Sequence, residues 1–312
     1  MRAVGVNEYG GPGALEVVEL DDPVAGPGQV LVRVRAATVN PTDTYGRDGS
    51  RAEAQRADPP PYVPGMDAAG TLEAIGEGVD TELAVGDAVM AIVLPKGSHG
   101  GYSELLALPA GSVAAAPAGT SHVEASTLPM NGLTARLALD LLDLPAGATV
   151  AVTGAAGAFG GYAVQLAKVD GLRVIADASE DDEELVAGLG ADVVVRRGDD
   201  GARRIREHAP DGVDAVIDGS VQNEALFDAL RDGGGFATVR GFRTDAPRGI
   251  ELHQVWVRDY LEEGGKLDEL RRLAEDGAIT LRVARTFAPE EAGEAHRLLE
   301  AGGVRGRLVI EL

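Results

Sequence analysis

The 312-residue chain contains no cysteine. Disulfides, a thiol nucleophile and any cysteine-ligated zinc or iron–sulfur centre are thereby excluded. Lysine is scarce as well, with only Lys96, Lys168 and Lys266, and aromatic residues make up 4% of the chain. No apolar run is long enough to span a bilayer, and nothing resembles a signal peptide. A cytoplasmic location is the expectation from these absences.

Acid is what the chain has in excess. Fifty Asp and Glu stand against 28 Lys and Arg, a formal charge of −22. Such a surface repels nucleic-acid phosphates and anionic membranes, so neither is expected as a partner. Many acids with few lysines and aromatics suit a salt-rich cytoplasm, where the short Debye length screens self-repulsion. A halophilic source is the hypothesis drawn from this; an arginine-biased genome is the plainer explanation. The five histidines (His99, His122, His208, His253 and His296) have no ligand spacing and read as structural or exposed.

The most informative stretch is Thr149 to Lys168. Val150 to Thr153 reads as a strand buried on both faces. Gly154 to Gly161 is a turn of glycine and alanine, and Tyr162 to Lys168 has helical spacing. Pyrophosphate binds where N–H groups at a helix N-terminus point outward and no side chain blocks the approach. Ala155, Gly157 and Gly160 occupy the three glycine places of the G-x-G-x-x-G fingerprint, with Ala156, Ala158 and Phe159 between them. The first place has become alanine, and an ordinary tight strand-to-helix connection gives a similar pattern.

Residues 1 to about 120 read as a β-rich domain of short strands and glycine turns: Arg2–Val6, Leu15–Glu19, Val30–Arg35, the strand within 63–79, Val85–Ile92 and Gly100–Leu108. Residues 39–47 read as a polar segment leaving a strand, and 48–61 as a surface loop. A helical span, Val123–Leu142, leads into the glycine turn. Strands and helices then alternate: strand Arg173–Ala176, helix Asp181–Leu189, strand Val193–Val195, helix Gly201–His208, strand Ala215–Asp218, helix Asn223–Leu230 and strand Phe236–Val239. This order implies a doubly wound parallel sheet. Helices at Leu267–Asp276 and Pro289–Ala301 and a strand at Arg307–Glu311 close the chain.

The chain resembles the medium-chain dehydrogenase/reductase superfamily in its zinc-free quinone oxidoreductase (zeta-crystallin-like) branch. The resemblance covers almost the whole length. It rests on M-R-A-V at 1–4, E-Y-G-G-P at 8–12, V-N-P-T-D-T-Y at 39–45, P-G-M-D-A-A-G at 64–70, V-G-D-A-V at 85–89, L-P-M-N-G-L-T-A at 128–135, G-A-A-G-A-F-G at 154–160, L-G-A-D at 189–192 and G-R-L-V-I at 306–310. It implies an α/β architecture: a GroES-like β-barrel domain over 1–120 and 285–312, and a Rossmann doubly wound parallel-sheet domain over 121–284. Zinc-dependent members have G-H-E where this chain has Gly65, Met66 and Asp67. Methionine is a poor zinc ligand, so no metal is expected. Without a Lewis acid, alcohol oxidation is disfavoured, whereas a quinone or enone accepts hydride directly.

The resemblance also assigns residues. Tyr45 and Asn40 match positions near nicotinamide and substrate, where Tyr45 would orient the cofactor or donate to the developing oxygen. Asp43 reads as a local turn cap. Asn131 and Thr134 match positions that approach the cofactor. Gln222, Val239, Gly241 and Phe242 follow the fourth and fifth strands at the edge where open sheets bind ligands. For each, an ordinary packing or loop role is the competing reading. Asp177, 20 residues after Gly157, by itself suggests an NAD ribose contact. The family alignment instead puts Ala178 where NAD-binding members carry their carboxylate, and offers Ser179 and Arg197 as 2′-phosphate contacts. NADP (as NADPH) is therefore favoured over NAD. The expected function is hydride transfer from NADPH to a quinone or related α,β-unsaturated carbonyl, in a homodimer. The alternatives are an enoyl-thioester reductase of the same superfamily, or a non-enzymatic dinucleotide-binding protein with a redox-sensing or structural role.

Overall fold

The computed structural model describes residues 1–312, apart from the side chain of Ala54. The chain forms two compact units. One comprises Met1–Met130, Arg258–Asp276 and Leu281–Leu312; the other comprises Asn131–Val257 and Gly277–Thr280.

The first unit opens with β1 (Arg2–Gly5) and β2 (Glu16–Glu19), which pair antiparallel as a separate ribbon. Next is β3 (Gln29–Thr38), whose period-2 alternation turns Val30, Val32 and Val34 into the core. Then come α1 (Pro41–Asp48), α2 (Ala52–Gln55), β4 (Asp67–Ile75), β5 (Ala88–Ile92), β6 (Leu105–Pro109), β7 (Val113–Ala115) and α3 (His122–Ala125). β3 is the spine, pairing antiparallel with both β4 and β6. The valines of β3 pack with Leu72, Val89, Leu106 and Leu108 in one apolar cluster. α3 starts at a reciprocal cap: Ser121 N–H donates to Glu124 Oε2 (2.8 Å) and Glu124 N–H to Ser121 Oγ (3.2 Å).

After α4 (Pro129–Leu142) the second unit alternates strand and helix: β8 (Thr149–Thr153), α5 (Ala158–Val169), β9 (Arg173–Ala178), α6 (Glu183–Gly188), β10 (Val193–Arg196), α7 (Gly201–His208), β11 (Val213–Asp218), β12 (Leu230–Thr238) and β13 (Glu251–Gln254). The sheet order is β10-β9-β8-β11-β12-β13, and every pairing is parallel. The chain goes to one side of β8 for β9 and to the other for β11. That makes the carboxyl end of β8 the topological switch point, where open α/β sheets bind ligands.

Four elements complete the first unit or border it: α8 (Gly264–Glu275), β14 (Val283–Phe287), α9 (Ala292–Ala301) and β15 (Arg307–Glu311). β15 pairs with β14 and, antiparallel, with β3, setting Val309 opposite Thr38. The resulting seven-stranded sheet runs β14-β15-β3-β4-β5-β7, with β6 on β3.

The unit boundaries fall elsewhere than the breaks at 120/121 and 284/285 read from the sequence. The segment with α8 joins the first unit, where Ser112 Oγ donates to Leu261 O (2.6 Å) and Ala118 N–H to Glu275 Oε1 (2.8 Å). Residues 277–280 join the second, where Gln165 Nε2 donates to Thr280 Oγ1 (2.9 Å). Residues 39–47, read as a segment leaving a strand, fold largely into α1. Pro41 pre-sets φ at its start, and Asn40 N–H donates to Asp43 Oδ2 (2.7 Å). The expected loop at 48–61 contains α2. The expected helix over 223–230 is a tighter 3-10 stretch, Asn223–Ala229. β13 carries no strand signal in the sequence: its four residues include His253 and Gln254 and no β-branched side chain.

Candidate active site

In the second unit the chain leaves β8 through Gly154 at φ +67°, a left-handed conformation that favours glycine. Further on, a Cβ at Gly160 would lie 2.3 Å from Gly154 O, so only glycine lets α5 approach the turn this closely. Gly157 is the N-cap of α5 and offers no side chain to its first turn. Gly157, Ala158 and Phe159 are half-exposed, while Ala155 and Ala156 are buried. The leading N–H groups of a helix lack intrahelical acceptors and sit at the positive end of its dipole. The turn therefore fits a pyrophosphate, with small residues at the approach and donors facing out.

Asp177 is where the structure departs most from the ribose-ligand reading. Its Oδ1 accepts the N–H of Gly154 (2.6 Å) and of Ala155 (3.3 Å). The residue is 4% exposed, and its Oδ2 is buried without a hydrogen-bond partner. Burial raises its carboxyl above the usual range, opposed by the Ala155 N–H, the Arg197 charge and the Gly154 N–H. The carboxylate thus braces the glycine turn from beneath. A neighbouring acid, Asp218, does likewise on the other side, accepting from Thr153 Oγ1 (2.7 Å), Ser220 N–H (3.2 Å) and Asn223 N–H (2.7 Å).

Beside this turn, Arg197 is exposed and acts electrostatically on Asp177. Ser179 spends its hydroxyl on Asp182, and Arg196 pairs with Glu180 (2.8 Å). Gln222 Nε2 donates to Ser220 Oγ (2.7 Å). Asn131 is half-buried and Thr134 buried in α4. Val239 follows β12, and Gly241 takes φ +72° against the Trp256 ring. Phe242 packs against Phe227 and Phe236, with ring centroids 6.3 and 6.5 Å away. That contact makes Phe242 part of the apolar cluster of the unit.

In the first unit Asn40 is fully buried, and its side chain is engaged on both ends. Nδ2 donates to Asp67 Oδ2 (2.8 Å) and Oδ1 accepts from Arg307 (2.7 Å). It holds the start of α1 and has no face open to a substrate. Asp67 is likewise spent: Oδ2 also accepts from Thr38 Oγ1 (2.5 Å) and Arg307 (2.9 Å), and Oδ1 accepts the Met130 N–H (2.6 Å). The position where the zinc-dependent proteins it resembles carry the acidic residue of their motif is here an internal ion pair. Met66 is 7% exposed and accepts a hydrogen bond at Sδ from Thr42 Oγ1 (3.2 Å). No group of three or more His, Asp or Glu able to hold a metal ion occurs among the described residues. Tyr45 is half-buried on α1, with the Arg51 guanidinium 5.6 Å from its ring centroid.

Arg47, Tyr102 and Arg307 are not candidates from the sequence and His296 reads there only as structural or exposed, yet the four hold the buried polar interior of this unit. Arg307 stood inside the recognised G-R-L-V-I run. His296 carried no local signal at all.

Known proteins share the sequence and fold of this chain. Residues 26–118 match the model of the alcohol dehydrogenase GroES-like domain, and residues 189–310 that of a zinc-binding dehydrogenase. A quinone oxidoreductase of Rattus norvegicus is 30% identical over all of this chain and 98% of its own length. An NAD-dependent alcohol dehydrogenase of Sulfolobus acidocaldarius is also 30% identical, over the full length of both. A mycobacterial protein solved in complex with NADPH superposes with a TM-score of 0.86 at 30% identity, over the whole of both chains. The chain belongs to the medium-chain dehydrogenase/reductase superfamily, and it is an oxidoreductase with a GroES-like domain and a Rossmann domain.

Proposed function

We propose that the protein transfers hydride from NADPH to a quinone or related α,β-unsaturated carbonyl without a metal, as a cytoplasmic homodimer. The observation that carries this reading is the turn at Gly154–Gly160. It presents an uncapped helix N-terminus, and the nearest acid, Asp177, is turned beneath the turn. A carboxylate held there does not reach out to repel a 2′-phosphate, and Arg197 beside it is an exposed cation. The NADPH held by the mycobacterial neighbour supports the same choice, while the name of the Sulfolobus relative favours NAD. When bound, the nicotinamide supplies the hydride. The residues of the chain bind and orient. The N–H groups of Ala158 and Phe159 take the pyrophosphate, Arg197 takes the 2′-phosphate, and Tyr45 donates to the acceptor oxygen as charge develops. Asp67, neutralised by Arg307, leaves the reaction to an acceptor that needs no Lewis acid.

The test is a thermal-shift titration in high salt with NADPH and NADH separately, followed by NADPH oxidation across quinones, enones and enoyl thioesters. A ligand that binds only the folded state raises stability by RT ln(1 + [L]/Kd). The expected result is a larger shift with NADPH and turnover of quinones. A shift with NADH alone overturns the cofactor assignment. Turnover confined to enoyl thioesters moves the substrate class to that alternative. Binding without any turnover leaves the redox-sensing reading.

A further inference from the structure

Two side chains one turn apart on α1, Asp43 and Arg47, are buried. Arg47 pairs with Glu300 on α9 (2.6 Å), donates through Nε to Gly10 O (3.2 Å), and brings Nη1 to 3.3 Å from His296 Nδ1. A guanidinium only donates, so Nδ1 accepts and the ring proton is assigned to Nε2. Nε2 lies 3.1 Å from Tyr102 Oη and donates to it. The Tyr102 hydroxyl then donates to Asp43 Oδ2 (3.0 Å). The other contacts of Asp43 are donors too: Asn40 N–H to Oδ2 (2.7 Å) and Gly65 N–H to Oδ1 (3.2 Å). Every hydrogen bond from Arg47 to Asp43 therefore runs in one direction.

We propose that the chain Arg47–His296–Tyr102–Asp43 is a positioning device that docks α1 on α9 and thereby holds Tyr45, on the opposite side of α1, for the reaction. This rests on the role given to Tyr45 above. Burial pushes Asp43 up to about 7, against its three donors and with repulsion from Asp67 on β4. Burial, with Arg47, brings His296 down to about 3, and Tyr102 is raised well above its ordinary value. Arg307 on β15 acts on Tyr102 from outside the chain, and Glu300 compensates Arg47. Asp43 is thus the member that changes state near neutrality: ionised it accepts from all three donors, but the cost of its buried charge loosens the docking of α1.

The experiment follows the full-length protein on either side of neutrality in two ways: kinetics with NADPH and a quinone, and hydrogen exchange of the α1 amides corrected for intrinsic rates. In wild type, kcat and α1 protection are expected to fall together through a step near 7, because a carboxyl raised in the docked helix docks better protonated, with KM for NADPH unchanged. Tyr102→Phe removes the central hydroxyl; it is expected to lower kcat by roughly tenfold to a hundredfold and to abolish both steps. His296→Gln offers an acceptor and a donor in the same order without a titrating ring, and is expected to keep the steps; His296→Leu is expected to lose them. Retention of the protection step in Tyr102→Phe overturns the proposal, as does quinone turnover in wild type with no step in either readout. A protection step in a wild type that reduces no quinone leaves the relay standing and removes the function assigned to Tyr45.

Discussion

Asp43 and Asp67 lie in the same unit, both almost inaccessible to solvent, and both are surrounded by donors. Asp67 takes four hydrogen bonds, one from the Arg307 guanidinium. Asp43 takes three, all from neutral groups, and the nearest positive charge on its chain, Arg47, lies beyond Tyr102 and His296. The number of donors is nearly equal, but the proximity of a cation is not. Buried charge is costly unless paired, and neutral hydrogen bonds offset only part of that cost. The two sites therefore do different things. Asp67 is a fixed ion pair that joins β3, β4 and β15, and Asp43 is a group whose charge is open to change.

The harshest way to break this comparison is to take the cation from Asp67. Arg307→Met leaves a carboxylate fully buried among neutral donors, and removing one partner of such a pair costs about 3–5 kcal/mol. Denaturant melts in molar salt should show that loss. Adding Asp67→Asn should recover most of it, because the stranded charge goes with it. If the single variant is as stable as wild type, the ion pair does not hold the strands and Asp67 is solvated in a way its burial denies.

How far these sites are legible in sequence depends on how local their chemistry is. The turn from Gly154 to Gly160 is legible because backbone conformation and close approach require small residues at fixed offsets within a few positions. The parallel sheet is legible for a similar reason, through alternating apolar runs and helical spacing. The role of Asp177 is not: its distance from Gly157 suits a ribose contact, and only the packing of β9 beside β8 shows that its carboxylate meets Gly154 and Ala155. His296 is less legible still, since the arginine that fixes its tautomer is 249 positions away. Even α1 is hidden in the sequence, because a run of polar residues after Asn-Pro looks like a loop until its buried partners are known.

A milder test follows the pH dependence of stability that Asp43 sets. Asp43 in the folded protein is raised to about 7 from its ordinary value of 3.8. Between those values the folded state holds a proton that the unfolded state has lost. The contribution of this group to stability is thus fully present below about 4 and is lost as pH rises through about 7. The slope for one proton is at most about 1.4 kcal/mol per pH unit. Asp43→Asn removes the titration, so the difference in stability between wild type and variant should change across that window and level off above it. A difference that stays constant across the window would mean that Asp43 is ionised throughout, held by its three donors alone.

The smallest expected effect concerns a third acid, intermediate between the other two. Asp177 has two backbone donors and, unlike Asp43, a cation acting on it directly, the exposed Arg197. In the proposed function Arg197 serves twice: it favours the charged form of the brace beneath the glycine turn, and it meets a 2′-phosphate. The two roles separate by cofactor. Arg197→Ala should weaken NADPH binding about tenfold, roughly 1.4 kcal/mol, through the lost phosphate contact. NADH lacks that phosphate and reports only the brace, so its affinity should hardly move at a pH where Asp177 stays ionised. Isothermal titration with both cofactors checks this. An equal loss for both would make Arg197 a support of Asp177 alone, and the basis for choosing NADPH would then have to lie elsewhere in the second unit.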